Sequence, residues 1–169
     1  MQLVSLLIAA SVSTGVQPNA KAPSAAALRA AIHEKGAKQV VDRLSRAGPP
    51  GQTEWDALLE QIGAGKPEFV SLAPELALGT DASTSETLLI ALAYALPRAP
   101  NDVLRVLRLS EGRALDIKWV CGAPFIEVTA KQVVAQVKAA RAALEKVSAP
   151  ELQEIRSACL EQLTRAEAL

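Results

Sequence analysis

Residues that bind metals or carry redox chemistry are scarce in this sequence. Its 169 residues include one histidine, two cysteines and one methionine. A structural zinc site usually takes four cysteine or histidine ligands, and three such residues cannot supply them. We therefore expect neither a metal site nor a cofactor.

An excess of charge of either sign is also missing. The 18 lysines and arginines balance 18 aspartates and glutamates. Proteins that bind nucleic acid or anionic membranes usually carry a basic excess, because they must neutralise phosphate groups. Arg105 and Arg108 lie three residues apart, so they would share a helix face and could form a local basic patch, although the sequence favours an ordinary solvated face there. Trp119 is the only aromatic near these charges that could stack on bases, so no nucleic-acid partner is expected.

An apolar segment opens the chain but is too short to cross a membrane. Residues 3–16 carry no charge and are mostly leucine, valine, isoleucine or alanine. A membrane-spanning helix needs about 20 such residues, whereas the apolar part of a secretory signal has about this length. Ala20-Lys21-Ala22 matches the small-x-small pattern of a cleavage site. We interpret residues 1–22 as a secretory signal peptide and 23–169 as one domain; an apolar first helix of a cytosolic protein is the alternative.

Two cysteines are the smallest set that can form a disulfide bond. Cys121 and Cys159 lie 38 residues apart in the sequence. Exported proteins keep such bonds, whereas reducing compartments seldom hold them. Together with the signal-like N-terminus, this predicts a Cys121–Cys159 disulfide in a periplasmic or secreted protein. Two unrelated buried thiols are the alternative.

Nearly every segment after the N-terminus has the pattern of a helix. Alanine is abundant, and no strand-like alternation of apolar and polar residues persists. Short turns rich in proline and glycine join the helices, as they do in HEAT or armadillo solenoids and in compact bundles. We predict an all-α, compact and irregular bundle of about seven or eight helices, with solenoid-like (HEAT-like) hairpins in its middle.

Capping residues predict where most of these helices begin. Single capping residues precede helical patterns at Ser24, Thr53, Asn101 and Thr129. Two further starts have the spacing of a capping box, Ser83 with Glu86 and Ser148 with Glu151. Gly36 is placed to end the first helix, and the helix capped by Asn101 is expected to reach residue 109.

The most apolar segment of the domain is predicted to be its central helix. Residues 88–96 carry no charge, and a helix that is apolar on all sides must be buried on all sides. Residues 110–128 are the least helical part, and we interpret them as an extended, packed loop because no second strand is present to pair with them. Cys159 lies on the inward stripe of the last helix, so a bond to Cys121 would pin this loop beneath that helix.

Motifs of known catalytic sites are missing. His33-Glu34 is not followed by the second histidine of a zinc protease, and Gly65-Lys66 lacks the neighbours of a phosphate-binding loop. The nucleophile elbow of serine hydrolases does not occur. No pair of carboxylates is singled out as acid and base. The chain therefore fits a non-enzyme better; a carboxylate-dependent hydrolase, whose acids meet only in the fold, is a further alternative.

The five aromatic side chains supply most of the bulk in an alanine-rich chain, and most are expected to be core anchors. Trp119 and Phe125 flank Cys121 and are candidates for an interface instead. Aromatic and arginine side chains dominate the binding energy of many protein interfaces. Trp119, Phe125, Arg105 and Arg108 therefore form the predicted interaction surface.

A signal peptide, a small all-helical domain and one disulfide resemble, in architecture alone, the periplasmic immunity or inhibitor proteins of bacterial toxin systems. This resemblance implies a role in binding and blocking another protein. We therefore hypothesise a non-catalytic exported protein that binds a protein partner. The alternative is a cytosolic solenoid-like adaptor that retains its N-terminal segment and keeps both thiols reduced.

Overall fold

The computed structural model of this chain describes residues 21–46, 48, 52–110, 114–126 and 128–167. In these ranges the chain forms ten α-helices, one 3-10 turn and no strand. The helices are α1 (Ala25–Lys35), α2 (Ala37–Arg46), α3 (Glu54–Gly63), α4 (Pro67–Val70), α5 (Ala73–Ala77), α6 (Ala82–Ala95), α7 (Pro100–Val106), α8 (Ile117–Val120), α9 (Ala130–Leu144) and α10 (Gln153–Glu167). Seven of them are longer than five residues. The prediction of an all-α bundle is confirmed.

The predicted signal peptide falls almost entirely on residues 1–20, which lie outside the described residues. Its presence therefore stays a prediction. Among the helices that the structure describes, none is both long enough and apolar enough to span a membrane.

Side-chain caps begin three helices at the residues that the sequence predicts. The Ser24 hydroxyl accepts a backbone hydrogen bond from the first turn of α1. Thr53 and Thr129 each form a full capping box with the side chain three positions further on. Gly36 ends α1 with a φ of 82°, a backbone conformation that favours glycine because it has no Cβ.

The start of α6 differs from the predicted capping box of Ser83 and Glu86. Asp81 is the cap, since its carboxylate accepts a 2.9 Å hydrogen bond from the backbone N–H of Thr84. In return, the Thr84 hydroxyl accepts one, also at 2.9 Å, from the backbone N–H of Asp81. The bond from Thr84 holds the pKa of Asp81 below its ordinary value because it favours the charged form. An ionised carboxylate is a stronger acceptor than a serine hydroxyl, which explains the earlier start.

Two other helix starts also lack the predicted side-chain caps. Pro100 is the first residue of α7. Its missing N–H costs no hydrogen bond, because the N–H groups of the first turn have no partner within the helix. Asn101 therefore lies inside the first turn instead of capping it. This helix ends at Val106, three residues before the predicted end. Ser148 and Glu151 form no capping box, because a 3-10 turn at Pro150–Leu152 precedes α10.

The uncharged segment 88–96, most of which belongs to α6, lies at the centre of the core. Leu88 and Leu92 are fully buried, and most of the other residues of this segment are buried as well. Ile90 and Tyr94 are the departures from the predicted all-round burial, since both are partly exposed on one side of the helix. That side of α6 is therefore available for a further contact.

The helices α9 and α10 form an antiparallel hairpin at the C-terminal end of the described chain. The guanidinium of Arg156 in α10 donates a 2.8 Å hydrogen bond to the carbonyl of Leu144, the last residue of α9. Arg141, earlier in α9, donates at 3.0 Å to the hydroxyl of Thr164, later in α10. The order of these contacts shows that the two helices run in opposite directions.

The segment predicted as an extended loop contains a helical turn. Asp116 caps α8 by accepting a 2.8 Å hydrogen bond from the backbone N–H of Lys118. The chain before α8 pairs with the end of α7, where the backbone N–H of Arg108 donates to Leu115 at 2.8 Å and that of Ile117 donates to Arg108 at 3.0 Å. The prediction of a wholly extended loop was wrong, because Asp116 caps a helical turn here and Arg108 pairs with the backbone of the chain before that turn.

The sulfur atoms of Cys121 and Cys159 lie at disulfide-bonding distance, and their Cα atoms are 5.4 Å apart. Both side chains are fully buried. The bond connects the residue after α8 with the middle of α10, so it anchors the segment 121–126 to the last helix. The geometry of the predicted pairing is confirmed.

Candidate functional site

The helices α3 and α6 lie side by side and run in the same direction. Near their beginnings, the indole N–H of Trp55 donates a 3.0 Å hydrogen bond to the hydroxyl of Thr87. Just beyond their ends, Gly65 lies against Arg98, and a Cβ added to this glycine would be 2.9 Å from the Cβ of Arg98. Its φ of 76° also favours glycine. The two helices therefore stay in contact from Trp55 and Thr87 to the residues just beyond their ends.

An open groove of about 640 Å³ runs between the outer sides of α3 and α6. Its lining is mostly apolar or small: Leu59, Gly63, Ala64, Ile90, Ala91, Tyr94 and Ile126. Ile126 exposes 60% of its surface. Leaving apolar surface in water costs free energy, so a groove of this kind is typical of a surface that another molecule covers.

Charged side chains lie along the edges of this groove. Asp56 is already engaged, because its carboxylate accepts hydrogen bonds from the backbone N–H of Thr53 at 2.9 Å and from the Thr53 hydroxyl at 2.5 Å. Glu60 and Arg98 are exposed, and neither has an ion-pair partner within the described part of the chain. The guanidinium of Arg98 donates to the backbone carbonyl of Tyr94. The groove thus presents an acidic side chain and a basic one that are both accessible.

The segment 121–126 reaches the groove at its last residue, Ile126. Ala123 has a φ of 58°, a left-handed conformation uncommon for a residue with a Cβ. The backbone N–H of Phe125 donates to the carbonyl of Ala123 at 2.8 Å, which tightens the turn. The Phe125 ring then packs on Tyr94 with 4.8 Å between ring centroids. Phe125, a predicted interface residue, is therefore half-buried and supports the neighbouring Ile126, which is the exposed one.

Trp119 lies on α8, two residues before the cross-linked Cys121, and exposes 47% of its surface. It lines an open cavity of about 530 Å³ together with residues of α6, namely Ala82, Ser83, Glu86 and Leu89. The ammonium of Lys118 lies 5.1 Å from the centre of the Trp119 ring, within cation–π range. Of the aromatics predicted for an interface, Trp119 is the one that the structure leaves accessible.

The two predicted surface arginines do not share a helix face. Arg108 follows the end of α7, and its guanidinium donates to the carbonyls of Val106 and Leu107 at 3.2 and 2.9 Å. Arg105 is half-exposed and lies 3.4 Å from Asp102 and 4.0 Å from Glu151. The helix-face prediction was wrong because α7 ends early and its free carbonyls attract Arg108. These contacts place acidic side chains beside Arg105 and hold the guanidinium of Arg108 against the backbone.

Among the described residues, no group of three or more histidine, cysteine, aspartate or glutamate side chains could hold a metal ion. Asp56 and Glu60 do line the same groove, as the hydrolase alternative requires of two acids. However, the Asp56 carboxylate serves as part of the cap of α3, so the two are not a free acid–base pair.

Comparisons with family models, curated proteins and solved structures found no match to this chain. The candidate site is therefore defined by the geometry of its own residues. It consists of two neighbouring surfaces on α6, the cavity at Trp119 and the groove between α3 and α6. The sequence predicts Trp119 as an interface residue, and the structure leaves it accessible. The groove has no signal in the sequence, because nothing there indicates that α3 and α6 lie side by side.

Proposed function

We propose that the protein is exported to an oxidising compartment, periplasmic or extracellular, and acts without catalysis by binding a protein partner through Trp119. One observation carries this proposal: the half-exposed tryptophan lines an open cavity and lies two residues before the buried cross-linked Cys121. Tryptophan is the residue type most enriched among the few side chains that dominate interface energies.

The surroundings of Trp119 suit a binding role. Asp116 caps the single turn of α8 and Cys121 ends it, so the backbone that carries the indole is held at both ends. A side chain that is positioned before binding loses less conformational entropy when a partner covers it. Lys118 and Glu86 add polar groups at the edge of the apolar contact, as is usual at a protein interface.

The kind of partner follows from the architectural resemblance to immunity and inhibitor proteins. We infer that the partner is a protein whose own activity is blocked when it is bound. An isolated tryptophan with a shallow cavity is suited to filling or covering a site on such a partner. An activity assay of the captured partner, with and without this protein, tests this part directly.

The export proposal predicts a specific mass for the natively expressed protein. We expect the loss of about the first 20 residues, as in secretory processing, and two thiols that react with an alkylating reagent only after reduction. Intact-mass spectrometry with and without reductant measures both. A full-length mass with two freely reacting thiols would contradict export and would favour the cytosolic adaptor.

Partner binding is expected to depend on Trp119. The partner is captured from the compartment that contains the processed protein, identified by its mass, and titrated against purified variants. Replacing Trp119 by alanine should raise the dissociation constant at least about thirtyfold, the effect of losing an interface residue worth 2 kcal/mol.

Leu78→Ala is the matched control for this experiment. Leu78 is also a large exposed apolar residue, with 85% of its surface accessible, but it lies outside the Trp119 cavity. Its replacement should leave the affinity unchanged. Equal affinities of wild type and Trp119→Ala, with helical circular dichroism retained, would refute the proposed binding surface.

A further inference from the structure

The groove between α3 and α6 has its opposite charges at different levels along its length. Glu60 lies in the middle of α3, whereas Arg98 lies beside Gly65, five residues further along the same direction. At a rise of 1.5 Å per residue, this separation is about 7–8 Å along the helix axes. One part of the groove is thus acidic and the next part is basic.

Small and apolar residues lie between these two charges. Gly63 and Ala64 occupy the levels between Glu60 and Arg98 on the α3 side, and Tyr94 faces them from α6. A Cβ added to Gly63 would lie 3.6 Å from the Cβ of Tyr94, so the helices are close together here. A second protein surface can therefore approach most closely at the middle of the groove.

From this arrangement we propose that the groove is occupied by a second copy of this chain, related by a two-fold axis. In a two-fold interface each residue that contacts another is contacted by it in return. With the axis in the plane of the interface, perpendicular to α3 and α6 and midway between the two charges, Glu60 of each copy lies at the level of Arg98 of the other. Two equivalent ion pairs then form, and neither needs a different partner protein.

The apolar residues complete the same interface. Ile126, which exposes 60% of its surface, and the partly exposed Ile90 and Leu59 line the groove and are covered in both copies. Their burial supplies the favourable free energy of association, whereas the ion pairs at the edge select the antiparallel orientation. Like charges would oppose each other if the two copies ran parallel, so the charge order selects one geometry.

This inference goes beyond the proposed partner binding and uses different residues of α6. The Trp119 cavity is lined by Ala82, Ser83, Glu86 and Leu89, whereas the groove takes its α6 residues from Thr87, Ile90, Ala91 and Tyr94. Each surface can therefore be tested without the other, and each proposal can fail on its own.

Charge reversal tests the dimer, using the full chain expressed with its own N-terminal segment and analysed by sedimentation. The wild-type protein should be a dimer. Glu60→Arg and Arg98→Glu should each raise the dimer dissociation constant about a hundredfold or more, because each places two pairs of like charges in the interface. Glu34→Arg, an equally exposed glutamate on α1, should remain dimeric.

Mixing the two reversed variants gives the sharpest result. A Glu60→Arg chain carries two positive charges at these positions and an Arg98→Glu chain carries two negative ones, so the mixture should form a heterodimer although neither variant dimerises alone. A monomeric wild type, a dimer that Glu60→Arg leaves intact, or an unpaired mixture would each overturn the proposal. Trp119→Ala should keep the dimer and lose the partner, and Glu60→Arg should do the reverse, which separates this inference from the proposed function.

Discussion

Replacing Cys121 and Cys159 together by alanine is expected to lower the free energy of unfolding by about 4 kcal/mol. The cross-link joins residues 38 apart in the sequence. A bond across a loop of this length removes conformational entropy from the unfolded chain, and the chain-entropy treatment gives about 4 kcal/mol for it. Small domains are stable by only about 5–15 kcal/mol, so this is a large part of the total. Urea unfolding of both proteins under non-reducing conditions measures the difference.

The reductant supplies the control for this experiment. Wild-type protein unfolded in reductant should lose about the same free energy as the double variant, whereas the variant should not respond to reductant. Because both sulfurs are fully buried, slow reduction of the folded wild type is also expected. A wild-type unfolding midpoint that does not move after complete reduction would show that the cross-link does not stabilise this fold.

The loss of the cross-link should affect the Trp119 surface and the Ile126 side of the groove more than the positions of Glu60 and Arg98. Trp119 and Cys121 lie within three residues of each other, and the bond to α10 holds the end of α8 in place. Glu60 and Arg98 are positioned by α3 and α6, which do not depend on this bond for their contact.

Leu92→Ala is expected to lower the free energy of unfolding by about 3 kcal/mol, within the range found when leucine is truncated in a close-packed core. Leu92 lies in α6 and has no solvent-accessible surface. The substitution removes apolar atoms from the core and leaves a cavity that surrounding helices fill only in part. Equilibrium unfolding in urea, followed by helical circular dichroism, measures the change.

Leu78→Ala makes the same chemical change at an exposed position. With 85% of its surface accessible, Leu78 contributes little to the core, and its truncation should change stability by no more than about 0.5 kcal/mol. A similar loss in both variants would mean that α6 is not the central buried helix. The pair therefore tests the assignment of the core, because the same atoms are removed at a buried and at an exposed position.

A dimer through the groove would leave two Trp119 cavities open, since the two surfaces use different residues of α6. One dimer would then present two identical partner sites. A partner that is itself dimeric, and whose sites match that spacing, would bind with increased avidity.

The helix starts show which local signals are reliable in this chain. Ser24, Thr53 and Thr129 cap helices where predicted. No second capping residue directly precedes any of these three helical patterns. The start of α6 was misplaced because Asp81 and Ser83 are both capping residues, and spacing alone does not rank an ionised carboxylate above a hydroxyl. The end of α7 was misplaced because its apolar pattern continues through residues that pair with the chain before α8.

Three features follow from the sequence. The all-α class follows from helical periodicity, and the central position of α6 follows from the lack of charge in residues 88–96. The pairing of the cysteines follows from there being only two of them. The groove follows from none of these. It exists because α3 and α6, separated by two short helices, pack in parallel and leave Glu60, Arg98 and Ile126 on one surface. Such contacts between distant segments depend on how the helices pack around the core, and no pattern along the chain predicts that packing.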